Sequence, residues 1–344
     1  MTLQRLQQLL NAFPRLTITV VGDLFLDRWW EVDRTLDEPS VETGLTAYQV
    51  TGRRVSAGAA GTVINNLCCL GVRDVRVVSF VGEDGEGFEV TRLLRQKGVD
   101  THWLLSDPRV MTPTYTKPMF RRPGQPEEED NRFDIKNFAP TPEGLQQRLI
   151  ACIEEAAAQS DALIVLDQLT ETDTGVVTEA MRQALARVGE QRPELLIFAD
   201  SRAFADRFTG VTIKCNDKEA RALVTGQPEA AFSLEEMEHC LSELRRSTGR
   251  KAVVTCGARG VLVEERGKAC LEPALPLEPG EPMDVCGCGD VCTSGIVSAL
   301  CAGASWREAA QLGNLCSSVT IRKIGQTGTS SPEELLAQYR RFGL

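Results

Sequence analysis

Long apolar runs are missing from this 344-residue chain. None approaches the length that crosses a bilayer, so a membrane-spanning helix is excluded from the reading. Nor does the N-terminus read as a signal peptide. The opening MTLQRLQQLLNAF spaces its leucines as an amphipathic helix does, with no continuous apolar stretch and no small-residue cleavage site. Basic excess is absent: 38 Lys and Arg face 48 Asp and Glu, a net charge of −10. That balance argues against a nucleic-acid or anionic-membrane partner, since both require clustered cations. Only two histidines occur, His102 and His239, and neither sits in a partnering motif. Internal repeats and low-complexity linkers are lacking as well, so one domain over 1–344 is expected rather than two. The expected setting is the cytosol, where the 12 cysteines stay reduced.

What is present is an ordinary globular composition, 42% hydrophobic and 25% charged. Short β-branched runs at Leu16–Val21, Val75–Val81, Ala162–Leu166, Leu195–Ala199 and Ala252–Thr255 read as buried strands. Helix-like stretches follow at Thr62–Leu70, Glu86–Gln96, Asp173–Val188 and Asp217–Val224. This alternation predicts βαβ units, hence a mainly parallel sheet with helices on both faces and a ligand site beyond the strands' carboxyl ends. Residues 28–55 and 112–137 break the pattern with polar–apolar alternation and no helix. They are expected to form antiparallel strands of a small β lid over the site, with the Pro-rich, acidic stretch Arg121–Asn131 as a solvated tip.

The chemistry concentrates in Asp284-Val285-Cys286-Gly287-Cys288-Gly289-Asp290. A Gly-x-Gly stretch feeding a helix, here Val291 to about Ala302, presents free N–H groups at the helix's positive end and makes an anion hole. An acid at the start of that helix can take the proton of a hydroxyl attacking a phosphate. Asp290 is therefore the candidate general base, with Gly287, Cys288 and Gly289 as backbone donors. From this segment alone, Asp290 as a plain helix cap stands as an equal alternative.

The wider pattern resembles the ribokinase-like (PfkB) carbohydrate kinases, whose signature Asp-Thr-x-Gly-Ala-Gly-Asp the segment matches except at Val285 and Cys288. Within that family it looks most like the kinases of D-glycero-D-manno-heptose 7-phosphate. The likeness runs nearly end to end, through Val20–Asp23 with Leu26-Asp27-Arg28, Gly58–Gly71, Pro113–Lys117, Arg132 and Asp134, and Lys323, Gly325 and Thr327. It implies a three-layer α/β/α sandwich with a mainly parallel sheet and a β lid, and an ATP-dependent sugar or sugar-phosphate kinase. It also implies site roles. Asp27 would bind sugar hydroxyls beside Gly58, Thr62 and Asp284; Lys117 and Arg132 would meet a substrate phosphate. Asn216 and Glu219 match the family's Asn-x-x-Glu, with Glu219 organising Mg²⁺ through water. Thr255, Gly257 and Gly260 would turn against the nucleotide's phosphates and ribose, and Asn314 would flank the adenine. A monovalent cation such as K⁺ and a homodimer through the lid sheet belong to the same expectation.

Each residue also has a plain structural reading. Asp27 would cap a strand end, Asn216 and Glu219 would cap a helix, Gly257 and Gly260 would make a hairpin, and Lys117 and Arg132 would face solvent. Where the heptose kinases carry Gly-Gly-Ala-Ala-Asn, this chain has Gly58-Ala59-Ala60-Gly61-Thr62, exchanging an amide for one hydroxyl. The stretch Asp167–Glu171 lacks their Lys-Gly, and with the sequence running to Leu344 the nucleotidyltransferase domain fused to some of them is not expected here. An altered sugar is therefore expected. The rivals are a sensor that binds without turnover and a metal or redox site at Cys286, Cys288 and Cys292, where a helix N-terminus would lower thiol pKa values.

Overall fold

The computed structural model describes residues 1–121, 124, 127–325 and 328–343. Its centre is a nine-stranded sheet in the order Lys268–Glu272, Val261–Glu265, Ala252–Thr255, Thr212–Asn216, Leu196–Ser201, Ala162–Asp167, Thr17–Gly22, Asp74–Gly82, Leu104–Asp107. From Ala252–Thr255 to Leu104–Asp107 every pairing is parallel, and the two strands at the other edge close antiparallel. The central strands are apolar on both faces because both are covered. Ile18, Val20, Ala162, Ile164 and Leu166 point into one core, and Val21, Leu163, Val165 and Ile197 into another. Alternation along each strand thus divides two hydrophobic layers, as a three-layer sandwich requires.

The expected strands and first helix are found within a residue or two, the helix at Leu3–Leu10. The stretch expected to be helical from Asp173 is a loop as far as Thr178. Asp173 adopts a positive φ of 59° and its carboxylate accepts the Glu179 N–H, so the helix begins later and runs Glu179–Gln191. Thr212–Asn216, Val261–Glu265, Lys268–Glu272 and Leu104–Asp107 were not read as strands; each is short, and the first carries a lysine at its middle.

The chain leaves the main sheet at Gly22, where a Cβ would lie 2.2 Å from the Leu166 carbonyl oxygen. It passes directly into the lid, a second sheet ordered Phe133–Ile135, Thr114–Arg121, Leu24–Asp33, Val50–Ala59, with Glu128–Glu129 flanking Thr114–Arg121. The lid is not wholly antiparallel as expected, since Leu24–Asp33 pairs parallel with Thr114–Arg121. A long excursion through the main sheet separates these two segments, and such a connection permits parallel pairing where a hairpin cannot.

Candidate active site

Four neighbouring parallel strands end on one edge of the sheet and deliver Gln168, Asp200 with Arg202, Lys214 with Asn216, and Thr255 to a single rim. The helix Cys288–Cys301 points its N-terminus at this rim, and between them lies a cavity of about 860 Å³. Of the expected site residues it gathers Asn216, Glu219, Thr255, Gly257, Gly260, Gly287, Cys288, Gly289, Asp290 and Asn314.

The helix starts three residues earlier than expected, with Gly287 as its cap in a left-handed conformation at φ 76° and no side-chain cap. Asp290 falls in the first turn. Among the described residues nothing donates a hydrogen bond to its carboxylate, which therefore does not cap the helix and instead faces the cavity. One expected donor is corrected: the Cys288 N–H is taken by the Val285 carbonyl at 3.2 Å. The N–H groups of Gly287, Gly289 and Asp290 have no acceptor among the described residues, an arrangement suited to an anion-binding turn.

Burial first, and then the nearby Asp200 carboxylate, lift the Asp290 carboxyl to about 7, with Lys214 and Arg202 holding it back. Lys214 projects from the middle of its strand, almost fully buried, into an ion pair with Asp200 at 2.5 Å. Burial works against its charge, but the Asp200 carboxylate outweighs that and holds the ammonium above its ordinary range. A methyl built on Gly289 would lie 3.8 Å from Lys214 Nζ, so this cation stands over the anion-binding turn. Lys214, Asp200 and Arg202 were missed in the sequence. A lysine inside the otherwise apolar run Thr212–Cys215 was the available signal.

Asn216 and Glu219 are a reciprocal cap: the Glu219 N–H donates to Asn216 Oδ1 and the Asn216 N–H to Glu219 Oε2, each at 2.8 Å. The plain reading of this pair is realised, yet Glu219 Oε1 has no hydrogen-bond partner among the described residues, and Glu219 lines the cavity. Burial raises the Glu219 carboxyl, opposed by its backbone hydrogen bond. Gly260, at φ 112°, must be glycine because a Cβ would meet the Glu272 carbonyl oxygen at 2.0 Å. Asn314 Nδ2 donates to the carbonyls of Glu272 and Pro273 at 2.9 and 3.1 Å and fixes the strand exit Ala274–Leu277 as an apolar wall. Met283 and Val285, 61% and 68% exposed, complete a flat hydrophobic slot at the open end.

Of the expected sugar residues, Asp27, Gly58, Lys117 and Arg132 lie at the lid, and none of these four, nor Thr62 or Asp284, lines this cavity. Burial raises the Asp27 carboxyl, while Lys117 and Arg132 lower it. Gly58 is required by Asp27 itself, whose Oδ2 would be 2.2 Å from a Cβ there. Lys117 has no ion-pair partner among the described residues and sits 5.2 Å from the Trp29 ring centroid. Arg132 is held bidentately by Asp134 at 2.6 and 2.8 Å and stacks on Tyr115. Thr62 is buried in the first turn of the helix Ala60–Cys69. Asp284 accepts the N–H groups of Cys286 and Gly325 and so ties the anion-binding turn to the last loop. Thr327 lies outside the described residues.

The thiols depart from expectation. Burial, then neighbouring thiols and carboxylates, push Cys288 up to about 11, outweighing the helix N-terminus, and burial takes Cys292 to about 11 as well. Among the described residues no three His, Cys, Asp or Glu side chains cluster as metal ligands. No described helix is long and apolar enough to cross a membrane.

Solved structures share the architecture. Phosphofructokinase-2 from Escherichia coli in complex with potassium superposes with a TM-score of 0.72 at 17% identity, covering 96% of this chain and 100% of that one. Ribokinase from Thermotoga maritima gives 0.66 at 17% identity, covering 94% and 99%. The fold is thus ribokinase-like. In sequence, the bifunctional protein HldE of Nitratiruptor sp. is 27% identical over 331 residues, and that of Desulfatibacillum aliphaticivorans 28% over 332. The alignments take in 94% and 95% of this chain but only 65% and 64% of those relatives' length. The family model for pfkB carbohydrate kinases matches residues 17–334. With that model matched from the first sheet strand into the last helix, the chain belongs to the pfkB family of carbohydrate kinases.

Proposed function

We propose that the chain, working as a single kinase unit, transfers the γ-phosphoryl of ATP to a hydroxyl of a sugar or sugar phosphate. The observation that carries this reading is the Asp290 carboxylate, without a partner among the described residues, in the first turn of a helix beside the N–H groups of Gly287, Gly289 and Asp290, which have no acceptor among them either. A carboxyl lifted to about 7 accepts a proton near neutrality, and its neighbours hold the phosphate that the hydroxyl attacks. Lys214 neutralises the phosphate tail over Gly289. The apolar slot beside Asn314 takes the base, and the turn Thr255–Gly260 takes the ribose and phosphates. Asp27 receives sugar hydroxyls, and Lys117 with Arg132 meets an anionic group on the substrate.

Glu219 Oε1 and the absence of a protein ligand cluster among the described residues fit Mg²⁺, which favours water and phosphate oxygens over an all-protein cage. When bound, the ion would neutralise charge on the transferred phosphate. A monovalent cation such as K⁺ near the Asp284 turn would rest on backbone carbonyls and is tested by potassium titration of turnover.

The likeness to bifunctional HldE proteins supports a heptose phosphate as acceptor, and Thr62 in place of an asparagine supports a changed sugar. A second copy would pair through the lid, whose residues Val50 and Phe133 are exposed. The test is ADP release from Mg-ATP across a panel of sugars and sugar phosphates, heptose 7-phosphate included. Tight nucleotide binding with no ADP formed from any acceptor would favour a sensor.

A further inference from the structure

Three cations line the cavity, and two are spoken for: Lys214 is locked to Asp200, and Lys218 pairs with Glu229 at 2.8 Å. Arg202 is the exception. Its guanidinium, exposed at the cavity wall, has no ion pair and no hydrogen bond among the described residues, although the cavity is also lined by Asp200, Asp217, Glu219 and Asp290. Its backbone, by contrast, is held on several sides. The Arg202 N–H donates to the Asp167 carbonyl at 3.0 Å, the Ser201 hydroxyl donates to the Asp167 carboxylate at 2.8 Å, and the Phe204 N–H donates to Ser201 Oγ at 3.0 Å. A fixed root with a free head group is what a cation needs if its partner arrives with the substrates.

The surroundings say which partner. Arg202 follows directly on the strand Leu196–Ser201, which lies next to that of Lys214 and Asn216, and lines the same cavity as Asp290. Its charge is felt by Asp290, by Glu219 on the nucleotide side and by Tyr115 of the lid, yet it is within ion-pair distance of none of these. The gap it faces is therefore the one between nucleotide and acceptor.

We infer that Arg202 is a catalytic cation for the phosphoryl group in flight, contacting its equatorial oxygens midway between ADP and the acceptor. This rests on the kinase reading above. In that step the acceptor oxygen bonds to the γ-phosphorus and its proton passes to Asp290. The bond from the γ-phosphorus to the β–γ bridging oxygen breaks, and its electron pair stays on ADP. Arg202 neither gains nor loses a proton; it offsets charge that is spread over the oxygens at mid-transfer, where a guanidinium's fork matches two of them.

The experiment compares wild type, Arg202→Ala and Arg202→Lys for binding of Mg-ADP with and without aluminium fluoride, a planar mimic of the transferring group, in parallel with kinetics on whichever acceptor turns over. Because the guanidinium holds no partner, both variants should fold, which circular dichroism checks. Wild type should gain at least about 100-fold in ADP affinity from the fluoride, the scale of one lost donor to a transition-state oxyanion. Arg202→Ala should keep Mg-ADP affinity but lose most of that gain, and its kcat should fall with KM little changed. Arg202→Lys should lie between, and free guanidinium should partly rescue the alanine variant. An equal fluoride gain in wild type and Arg202→Ala overturns the role of Arg202 and leaves the kinase reading standing. Wild type that binds Mg-ADP but gains nothing from fluoride also overturns it. Wild type that binds no nucleotide sinks the kinase reading itself.

Discussion

Replacing Asp290 with Asn removes a carboxylate that the fold keeps at a cost, so the same substitution should damage activity and strengthen the protein. Burial and the Asp200 carboxylate lift the folded-state value to about 7, against about 3.8 in an unfolded chain. Between those two values the folded protein binds more protons than the unfolded one, so stability falls as pH rises through the window and levels off above about 7. Roughly three pH units at about 1.4 kcal/mol each set a ceiling of about 4 kcal/mol on the destabilisation carried by the ionised group. Part of Asp290's surface stays open to the cavity, which is why this is a ceiling. Asparagine has the same shape and no such titration. The stability difference between Asp290→Asn and wild type, measured by urea denaturation without nucleotide, should therefore be small at pH 4. It should widen by up to about 3 kcal/mol between pH 5 and pH 8. Turnover should fall by roughly 10²- to 10⁴-fold in the variant, and wild-type kcat/KM should drop below a midpoint near 7 as the base is protonated. A stability difference that stays constant over pH 4 to 8 would refute the reasoning about the charge. Wild-type turnover in the variant would refute the reasoning about the base.

Two further perturbations probe the neighbours of this group. Lys214→Met leaves the partly buried Asp200 without its partner, and should cost up to about 3 kcal/mol in a urea titration. It also removes a charge that holds Asp290 down, so the acid limb of any remaining activity should move to higher pH; an unchanged limb counts against the coupling. Gly58→Ala drives a methyl to 2.2 Å from Asp27 Oδ2. The displaced carboxylate should lower kcat/KM for the acceptor by roughly 100-fold with nucleotide affinity unchanged, and equal losses for both ligands would relocate Asp27 away from the acceptor.

Much of this molecule was legible in the chain because it is written locally. Short continuous β-branched runs separated by helical stretches specify buried parallel strands with helices on both faces, and a Gly-x-Gly-Asp run entering a helix favours an anion-binding turn. Asp290 could be named for that reason, whereas Glu219 and Gly260 were named through the resemblance to the family. The parts that were misread depend on what lies next to what. Leu24–Asp33 and Thr114–Arg121 pair in parallel because of the path between them. The Asp200–Lys214 pair exists because two consecutive strands lie side by side in the sheet, and its hold on Asp290 depends on a helix some 75 residues further along. Burial decides the rest. The helix N-terminus would lower the Cys288 thiol, but desolvation by distant segments raises it instead, and the same physics sets Asp290 near 7. A carboxylate's identity is fixed by its codon, whereas its proton affinity is fixed by everything packed around it.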